Sequence, residues 1–563
     1  MLKIRVMAGI EFSAPAPRVW SESLAWRRIS RKPFPGKQLP GMPDTGPHAV
    51  ISLRYIVSVL RTFPRIMVLA FVLAGCAVGP DFHPPKAKVP KVFHENVPPA
   101  AKHVTDGTVR PEWWRLYHDP LLTELEKQVA AGNLDLRIAS ARFAQSQAER
   151  RIAGAIQFPA ISGNASYMRE RGSPNGVLGL LGTTVPDAPA TIANGSPQFG
   201  PSKMDGAKGS PPFNLPQYGL GASWEVDLWG HVRRQVESAD AGVQVSANQR
   251  RDLLVSLMAR AALDYISLRS VQNETQIVKL NIDTARRSVA LTRLRFAAGT
   301  ATRGDVAEAA GQLSTFEARL PLLHRQEAHL LNALSYLIGQ EPGALEARLG
   351  KLRPVPTVPA DIPVGLPSQL VERRPDIRAA AAQLHAATAN VGVAIAEFFP
   401  RVTLSGSMDI QALHFSGLGS WASRQYGFGP TLSLPIFQGG RLVGQLRLRR
   451  KQAQQAGLQF QNVVLSAWRE VADAMADFAT AQRQYERLQT AVKDNKEAVR
   501  IAQLQYAEGS GDFLNVLTLQ NALLASQETL VRANADVAAS VARLYQALGG
   551  GWEWRYPLKE GKG

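Results

Sequence analysis

The string Phe296, Ala297, Ala298, Gly299, Thr300 leads through Asp305 and Val306 into a long helical pattern that ends at Leu334, Ile338 and Gly339, and it returns 210 residues later. Tyr506, Ala507, Glu508, Gly509 and Ser510 lead through Asn515 and Val516 to Leu544, Leu548 and Gly549, with no insertion or deletion between the two ends. Residues 135–159 likewise recur as 376–400, offset by 241, and residues 220–229 as 428–437, offset by 208. The first copy therefore carries roughly 33 extra residues between its second and third segments, the mark of an insertion tolerated in a loop. One long unit occurring twice is not the short-period array of a solenoid. The chain reads as two copies of one structural unit about a pseudo-twofold relation.

The short segments decide the class. Ile161, Gly163, Ala165 and Tyr167 alternate with Ser162, Asn164 and Ser166, and their copy alternates Val402, Leu404, Gly406 and Met408 with Thr403, Ser405, Ser407 and Asp409. Leu220, Ala222, Trp224, Val226 and Leu228 alternate with Gly221, Ser223, Glu225 and Asp227, and the copy runs from Phe428 to Ile436 in the same way. Period two means strands. The expectation is four strands of about 8 to 11 residues, the length of a tilted strand crossing a bilayer. A half-buried soluble sheet would alternate likewise. The Gly/Pro/Ser-rich stretch 171–217 suits an extracellular loop. Four strands cannot close around a pore, and an open sheet edge in lipid leaves backbone groups unpaired, so spanning requires oligomerisation; three chains supply twelve strands.

Residues 231–296 and 441–506 contain no proline. At 1.5 Å per residue each makes a helix of ~100 Å, three times a bilayer, so these helices run through an aqueous space. Val464, Ala467, Val471, Ala474, Phe478, Ala481, Tyr485 and Leu488 recur at 3,4 spacing, and Leu254, Leu257, Ala261, Leu268 and Val271 follow in the first copy. That is a coiled-coil seam rich in small residues. A long dimeric coiled coil is the alternative, but the chain turns back at Gly299 and Gly509 through return helices of roughly 35 residues.

Residues 66–75 form an apolar run preceded by Arg54, Arg61 and Arg65, too short to span as a helix and fitting a signal-peptide core. It runs into Leu73, Ala74, Gly75 and Cys76, the single cysteine, which excludes disulfides within the chain. The string resembles a bacterial lipobox, in which the cysteine is lipidated; the alternative is a buried cysteine in an apolar segment. Acyl chains there contribute ~0.8 kcal/mol per buried methylene toward membrane anchoring. Ala77 after the cysteine suggests outer-membrane sorting by that resemblance. Residues 1–53 fit no signal pattern and stand outside the fold reading, either as an overcalled start with Met42 among the alternatives or as a genuine extension.

The net charge of +18 suggests nucleic acid, but residues 1–75 hold 11 Lys/Arg against 3 Asp/Glu, and the rest is spread along helices. Neither a zinc-ligand cluster nor an aromatic-basic stacking motif supports nucleic-acid binding. The 10 histidines lack metal spacing, and neither a nucleophile elbow nor a phosphate loop occurs, so no enzyme and no cofactor is expected.

Trp224, Glu225, Val226, Asp227, Leu228, Trp229, Gly230, then Leu366, Pro367, Ser368 with Glu372, Arg373, Arg374, Pro375, Asp376, and the lipobox followed by Val78, Gly79, Pro80, resemble the TolC/OprM outer-membrane efflux channels, most closely the NodT-type lipoprotein branch. The resemblance covers the chain from Cys76 to about Trp554. It implies an α+β membrane protein with an internal duplication: a homotrimeric channel whose twelve-stranded outer-membrane β-barrel continues as a long α-helical periplasmic barrel. It also implies a passive export duct in the Gram-negative outer membrane, with a periplasmic adaptor of the membrane-fusion class and an inner-membrane pump of the resistance-nodulation-division or major-facilitator type as partners. A lipid-anchored periplasmic scaffold without a pore is the alternative.

On this reading residues 1–75 are extension and signal, 76–118 an extended leader, 119–341 the first repeat, 342–366 a Pro-rich linker, 367–549 the second repeat and 550–563 a tail. The resemblance assigns the periplasmic aperture to the helix tips, with Asp305 as an aperture acid in the first copy. The second copy departs, carrying Asn515 and Thr518 where several family members have aspartates, with Asp512 nearby and Leu517 as an apolar constriction. The alternative for Asp305 is a helix N-terminal acid. Adaptor docking falls by resemblance on Ala298, Gly299, Thr300 and on Glu508, Gly509, Ser510. Glu225, Asp227 and Asp409 are candidates for the barrel lumen, wetting the pore wall. The run from Glu372 to Asp376 is expected to cap a helix and organise charges there. The exported substrate stays open.

Overall fold

The computed structural model describes residues 77–85, 104–105, 110–171, 212–358, 362–363 and 373–557. Cys76 and everything before it, residues 172–211 of the expected loop, residues 366–368 and Glu372 lie outside the described residues. In chain order the main elements are α1 (Pro120–Gly132), α2 (Leu134–Ala155), β1 (Ala160–Glu170), β2 (Phe213–Val226), α3 (His231–Ala297), α4 (Arg303–Glu317), α5 (Arg319–Leu337), α6 (Pro375–Ala396), β3 (Arg401–Gln411), β4 (Arg424–Ser433), α7 (Arg441–Glu508) and α8 (Phe513–Ala547). The unit α2–β1–β2–α3–return is thus repeated as α6–β3–β4–α7–α8.

α3 and α7 hold 67 and 68 residues, and the turns that follow them share a pair of backbone hydrogen bonds. Gly299 N–H donates to the Phe296 carbonyl and Thr300 N–H to that of Arg295; 210 residues on, Gly509 N–H donates to Tyr506 and Ser510 N–H to Gln505. Both glycines take a positive φ, 71° and 81°. Only glycine reaches that region without steric cost, which is why the repeated motif centres on it.

The two return limbs differ. α8 is one 35-residue helix, whereas the first limb breaks at Ala318 into α4 and α5. The break sits three residues before Pro321, which has no N–H to give and whose ring crowds the preceding turn; the matching residue 210 positions on is Val531. The expectation of a single long return helix therefore holds for the second copy only.

The apolar seam closes a core. Val464, Ala467, Val471, Ala474 and Phe478 of α7 are buried with Leu254, Leu257, Ala261 and Leu268 of α3, and α1 and the C-terminal half of α8 join them. The leader, expected to be extended up to 118, ends in a buried 3-10 turn, Trp113–Tyr117, with Trp113 stacked on Tyr545 at 5.6 Å.

The strands form one antiparallel sheet in the order β1-β2-β3-β4. β2 begins at Phe213, seven residues before the expected Leu220, and runs 14 residues, so residues 213–217 belong to a strand rather than to the loop. β4 covers Arg424–Ser433 rather than 428–437; Pro435 cannot donate to a ladder. The register sorts the side chains. Ile161, Ala222, Gly406 and Phe428 lie across from one another in one row, and Gly163, Leu220, Met408 and Tyr426 in another; the alternate rows hold Ser162, Gly221, Ser407, Gly427 and Asn164, Gly219, Asp409, Gln425. One face is apolar and solvent-exposed in the single chain, the other small and polar. The helices keep the strand order: α3 packs between α2 and α6, and α6 between α3 and α7.

Candidate functional site

The two helix tips are built by local backbone chemistry. Thr302 caps α4, its Oγ1 accepting the Asp305 N–H at 3.1 Å while the Asp305 carboxylate accepts the Thr302 N–H at 2.8 Å. Asp305 is thus half of a reciprocal capping box, satisfying two orphan donors. The second tip replaces the box with one cap, Asp512, which accepts from the Leu514 N–H. Asn515 and Thr518 are exposed, and the Thr518 hydroxyl donates to the Leu514 carbonyl at 2.9 Å. Leu517 does not stand out as a constriction: only 7% exposed, it packs with Val289, Ala309, Ala502, Tyr506 and Phe513, and the leucine that projects is Leu514, 56% exposed. Ala298, Gly299, Thr300, Glu508, Gly509 and Ser510 are all exposed.

Sequence reasoning missed Arg295. Its guanidinium donates to the Tyr506 carbonyl and lies 4.4 Å over the Tyr506 ring, tying the end of α3 to the end of α7. The signal is thin, a single cation in the last turn before Gly299. Further up, Gln312 and Asn521 pair across the two return limbs.

The three acids expected at the lumen divide. Asp409 lies in β3 on the polar face, 7% exposed, with Asn164 Nδ2 donating to it at 3.5 Å. It fits there because its neighbour is Gly219: a Cβ on that residue would stand 2.1 Å from the Asp409 Oδ1. Glu225 contacts His231 Nδ1 at 3.2 Å at the foot of β2. Asp227 lies beyond the strand and accepts from the backbone N–H of Arg233 at 2.8 Å and from its Nε, which pins the start of α3 rather than wetting a barrel wall.

Two further constellations organise the helices. Arg374, nearly buried, donates to Asp376 and Glu470 at 2.7 Å each and to the Ala547 carbonyl at 2.7 Å, joining the start of α6, the flank of α7 and the end of α8. Asp252 of α3 sits beside this knot; burial first, then the Asp376 charge, pushes its carboxyl up to about 6. At the other end of α3, the segment after Cys76 is stapled down. Val78 N–H donates to the Trp229 carbonyl at 3.0 Å, and Arg234 reaches Asp81 at 2.7 Å. Gly79 lies so close to Gly392 that a Cβ on it would be 2.6 Å from the Gly392 Cα.

A sheet with one apolar and one polar face, two edges left unpaired among the described residues and helices three bilayers long defines a class: the multi-chain outer-membrane channel, a β-barrel continued by a helical tunnel. The chain belongs to the outer membrane efflux protein family, whose model matches residues 125–340 and 366–550. It is 30% identical over 502 residues to the probable efflux pump outer membrane protein TtgC of Pseudomonas putida, across 87% of this chain and 96% of that protein. Among solved structures, the outer-membrane channel OprN superposes with a TM-score of 0.75 at 31% identity, covering 85% of this chain and 100% of that one. VceC of Vibrio cholerae gives 0.69 at 26% identity, covering 79% and 100%. The structural neighbours are trimeric TolC-like channels, and this chain is the outer-membrane channel component of an efflux system that works with a pump and an adaptor.

Proposed function

We propose that the protein is a lipid-anchored, passive export duct, acylated at Cys76, that receives small molecules at its helix tips from a periplasmic adaptor of the membrane-fusion class and an inner-membrane pump of the resistance-nodulation-division or major-facilitator type. The observation that carries the anchor is the staple of Val78 and Asp81 onto Trp229 and Arg234, three to eight residues past the end of β2. Residue 77 touches Gly230, where a Cβ would meet Ala77 at 2.7 Å. Ala77 thus sits beside the start of α3, just past the end of β2, which supports an acyl anchor near the foot of the strands.

The docking and aperture assignments rest on the tips. Six exposed residues around Gly299 and Gly509 offer a surface to a partner, and Asp305, Asp512, Asn515 and Thr518 surround the turns through which cargo enters; Leu514 takes the apolar role expected of Leu517. The test is metabolic labelling with a palmitate analogue in a Gram-negative host. Label on the wild type and none on Cys76→Ser supports the anchor; an unlabelled wild type in the outer membrane sinks it. In the same strains, Gly509→Arg is expected to abolish copurification with the adaptor while leaving the channel in the outer membrane.

A further inference from the structure

The register of the sheet sorts charge as well as hydropathy. On the apolar face, the lipid side of the barrel, the described strands carry two charged residues, Arg169 and Arg424, both at the strand ends far from the helices. The other charged strand residues, Glu170, Glu225, Arg401 and Asp409, all take the opposite parity. β4 holds 10 residues. At a rise of ~3.3 Å per residue and a tilt of about 40° it climbs ~25 Å, the height of a barrel's apolar band. Arg424, its first residue, therefore stands at the outer boundary of the membrane and Ser433, its last, at the inner one.

Arg424 is held in place. Its Nη1 donates to the Trp421 carbonyl at 2.7 Å, and its guanidinium lies 4.6 Å over the Trp421 ring. The loop that carries Trp421 is itself fixed to the strands: Phe415 stacks on Tyr167 at 5.4 Å, and the Tyr218 hydroxyl donates to the Leu418 carbonyl at 3.2 Å. Among the described residues no carboxylate pairs with Arg424, whose side chain is exposed. Directly across the ladder from Arg424 stands Ile410. With Gly163, Ala165, Tyr218, Leu220 and Met408 it lines a groove of about 410 Å³ on the same face. The groove exists because Gly163 and Ala165 bring almost no side chain to that surface; a Cβ on Gly163 would meet nothing nearer than Leu220 at 3.7 Å.

We propose that this is a lipid site: the groove takes an acyl chain of a phosphorylated glycolipid in the outer leaflet, and the Arg424 guanidinium takes one of its headgroup phosphates. The proposal rests on the barrel reading of the sheet and adds a specific ligand to it. Complementarity carries it. Tyr167, Tyr218, Phe415, Trp421 and Tyr426, all exposed, already anchor this level of the barrel at the interface without charge. Two cations on the lipid side beyond them, with no acid beside them on that face, call for an anion that lipid supplies, and a guanidinium fork matches two phosphate oxygens. Asymmetry selects the leaflet. At the foot of the strands the lipid-facing positions, Val226, Val402 and Leu432, carry no charge. The outer leaflet of a Gram-negative outer membrane offers a phosphorylated, multiply acylated glycolipid, which has both the tail and the headgroup the site fits.

The experiment is native mass spectrometry of the full chain, extracted from outer membranes and delipidated in mild detergent, with three purified lipids added in turn: bisphosphorylated lipid A, the same lipid stripped of its phosphates, and phosphatidylglycerol. The wild type should retain the first about tenfold more than either of the others, the size of one charge-assisted contact. Arg424→Gln removes the guanidinium and Gly163→Leu fills the groove; each should lower retention of lipid A about tenfold. Arg401→Gln, on the opposite face, should leave it unchanged, and an equal loss there overturns the placement. A three-chain particle that retains the stripped lipid or phosphatidylglycerol as well as lipid A overturns the lipid site alone. A one-chain particle overturns the barrel reading and the site with it. Should a variant fail to assemble, the phosphorylated and stripped lipids compared on the wild type decide the same point: equal retention overturns the phosphate contact, and loss with the phosphates supports it.

Discussion

At the scale of residues, the burial of charge governs what changes will do. Asp252 has its carboxyl raised from the usual ~3.9 to about 6, so its protonated form is the one the fold favours. That stabilisation is full below pH ~4 and is lost as pH rises through about 6; over that window it amounts to on the order of 3 kcal/mol. Asp252→Asn should therefore raise the unfolding temperature at pH 7.5 and flatten its dependence between pH 7.5 and 5, as differential scanning fluorimetry of the detergent-extracted protein would show. An unchanged pH profile would place the titration elsewhere. Gly219→Ala pushes a methyl into the Asp409 carboxylate and into the Met408 carbonyl at 2.5 Å. Overpacking of that kind costs ~1–3 kcal/mol, and the expected readout is a smaller fraction of detergent-resistant trimer. Roles at this scale were only partly legible in the sequence. Asp305 fits the N-terminal-acid reading because a capping box is a local pattern, written in Thr302 and Asp305. Leu517 and Leu514 could not be told apart, since periodicity gives a stripe without saying which neighbour covers it.

Element existence was read well and element ends less so. The 3,4 spacing and the absence of proline gave α3 and α7 almost to the residue. β2 and β4 were misplaced by several residues because the alternation continues beyond the ladder: Leu434 and Ile436 keep the period after Pro435 has ended the pairing. The break in the first limb follows from Pro321, which interrupts the backbone ladder without disturbing the apolar spacing. The turns themselves are testable. Gly509 holds a φ of 81°, where an L side chain costs ~1–2 kcal/mol. Gly509→Val should thus lower the unfolding temperature by a few degrees while leaving the helix content by circular dichroism unchanged; a large loss of helix would show that the turn nucleates more than itself.

For the molecule as a whole, the duplication was the most legible feature, because equal offsets survive sequence drift where single positions do not. The number of chains is a matter of sheet closure, as the edges at β1 and β4, unpaired among the described residues, cannot remain open in lipid. Native mass spectrometry of the protein extracted in mild detergent should give three chains per particle; a monodisperse monomer would contradict closure by copies of itself. The joint at Ala318 matters at this scale too. α8 is an unbroken strut from the second tip to the tryptophan and tyrosine cluster around Trp113 and Tyr545, whereas the first limb is two shorter rods meeting at a knuckle. A continuous ladder of backbone hydrogen bonds resists bending better than an interrupted one, so the second limb is expected to be the stiffer of two halves that the sequence repeat makes otherwise alike.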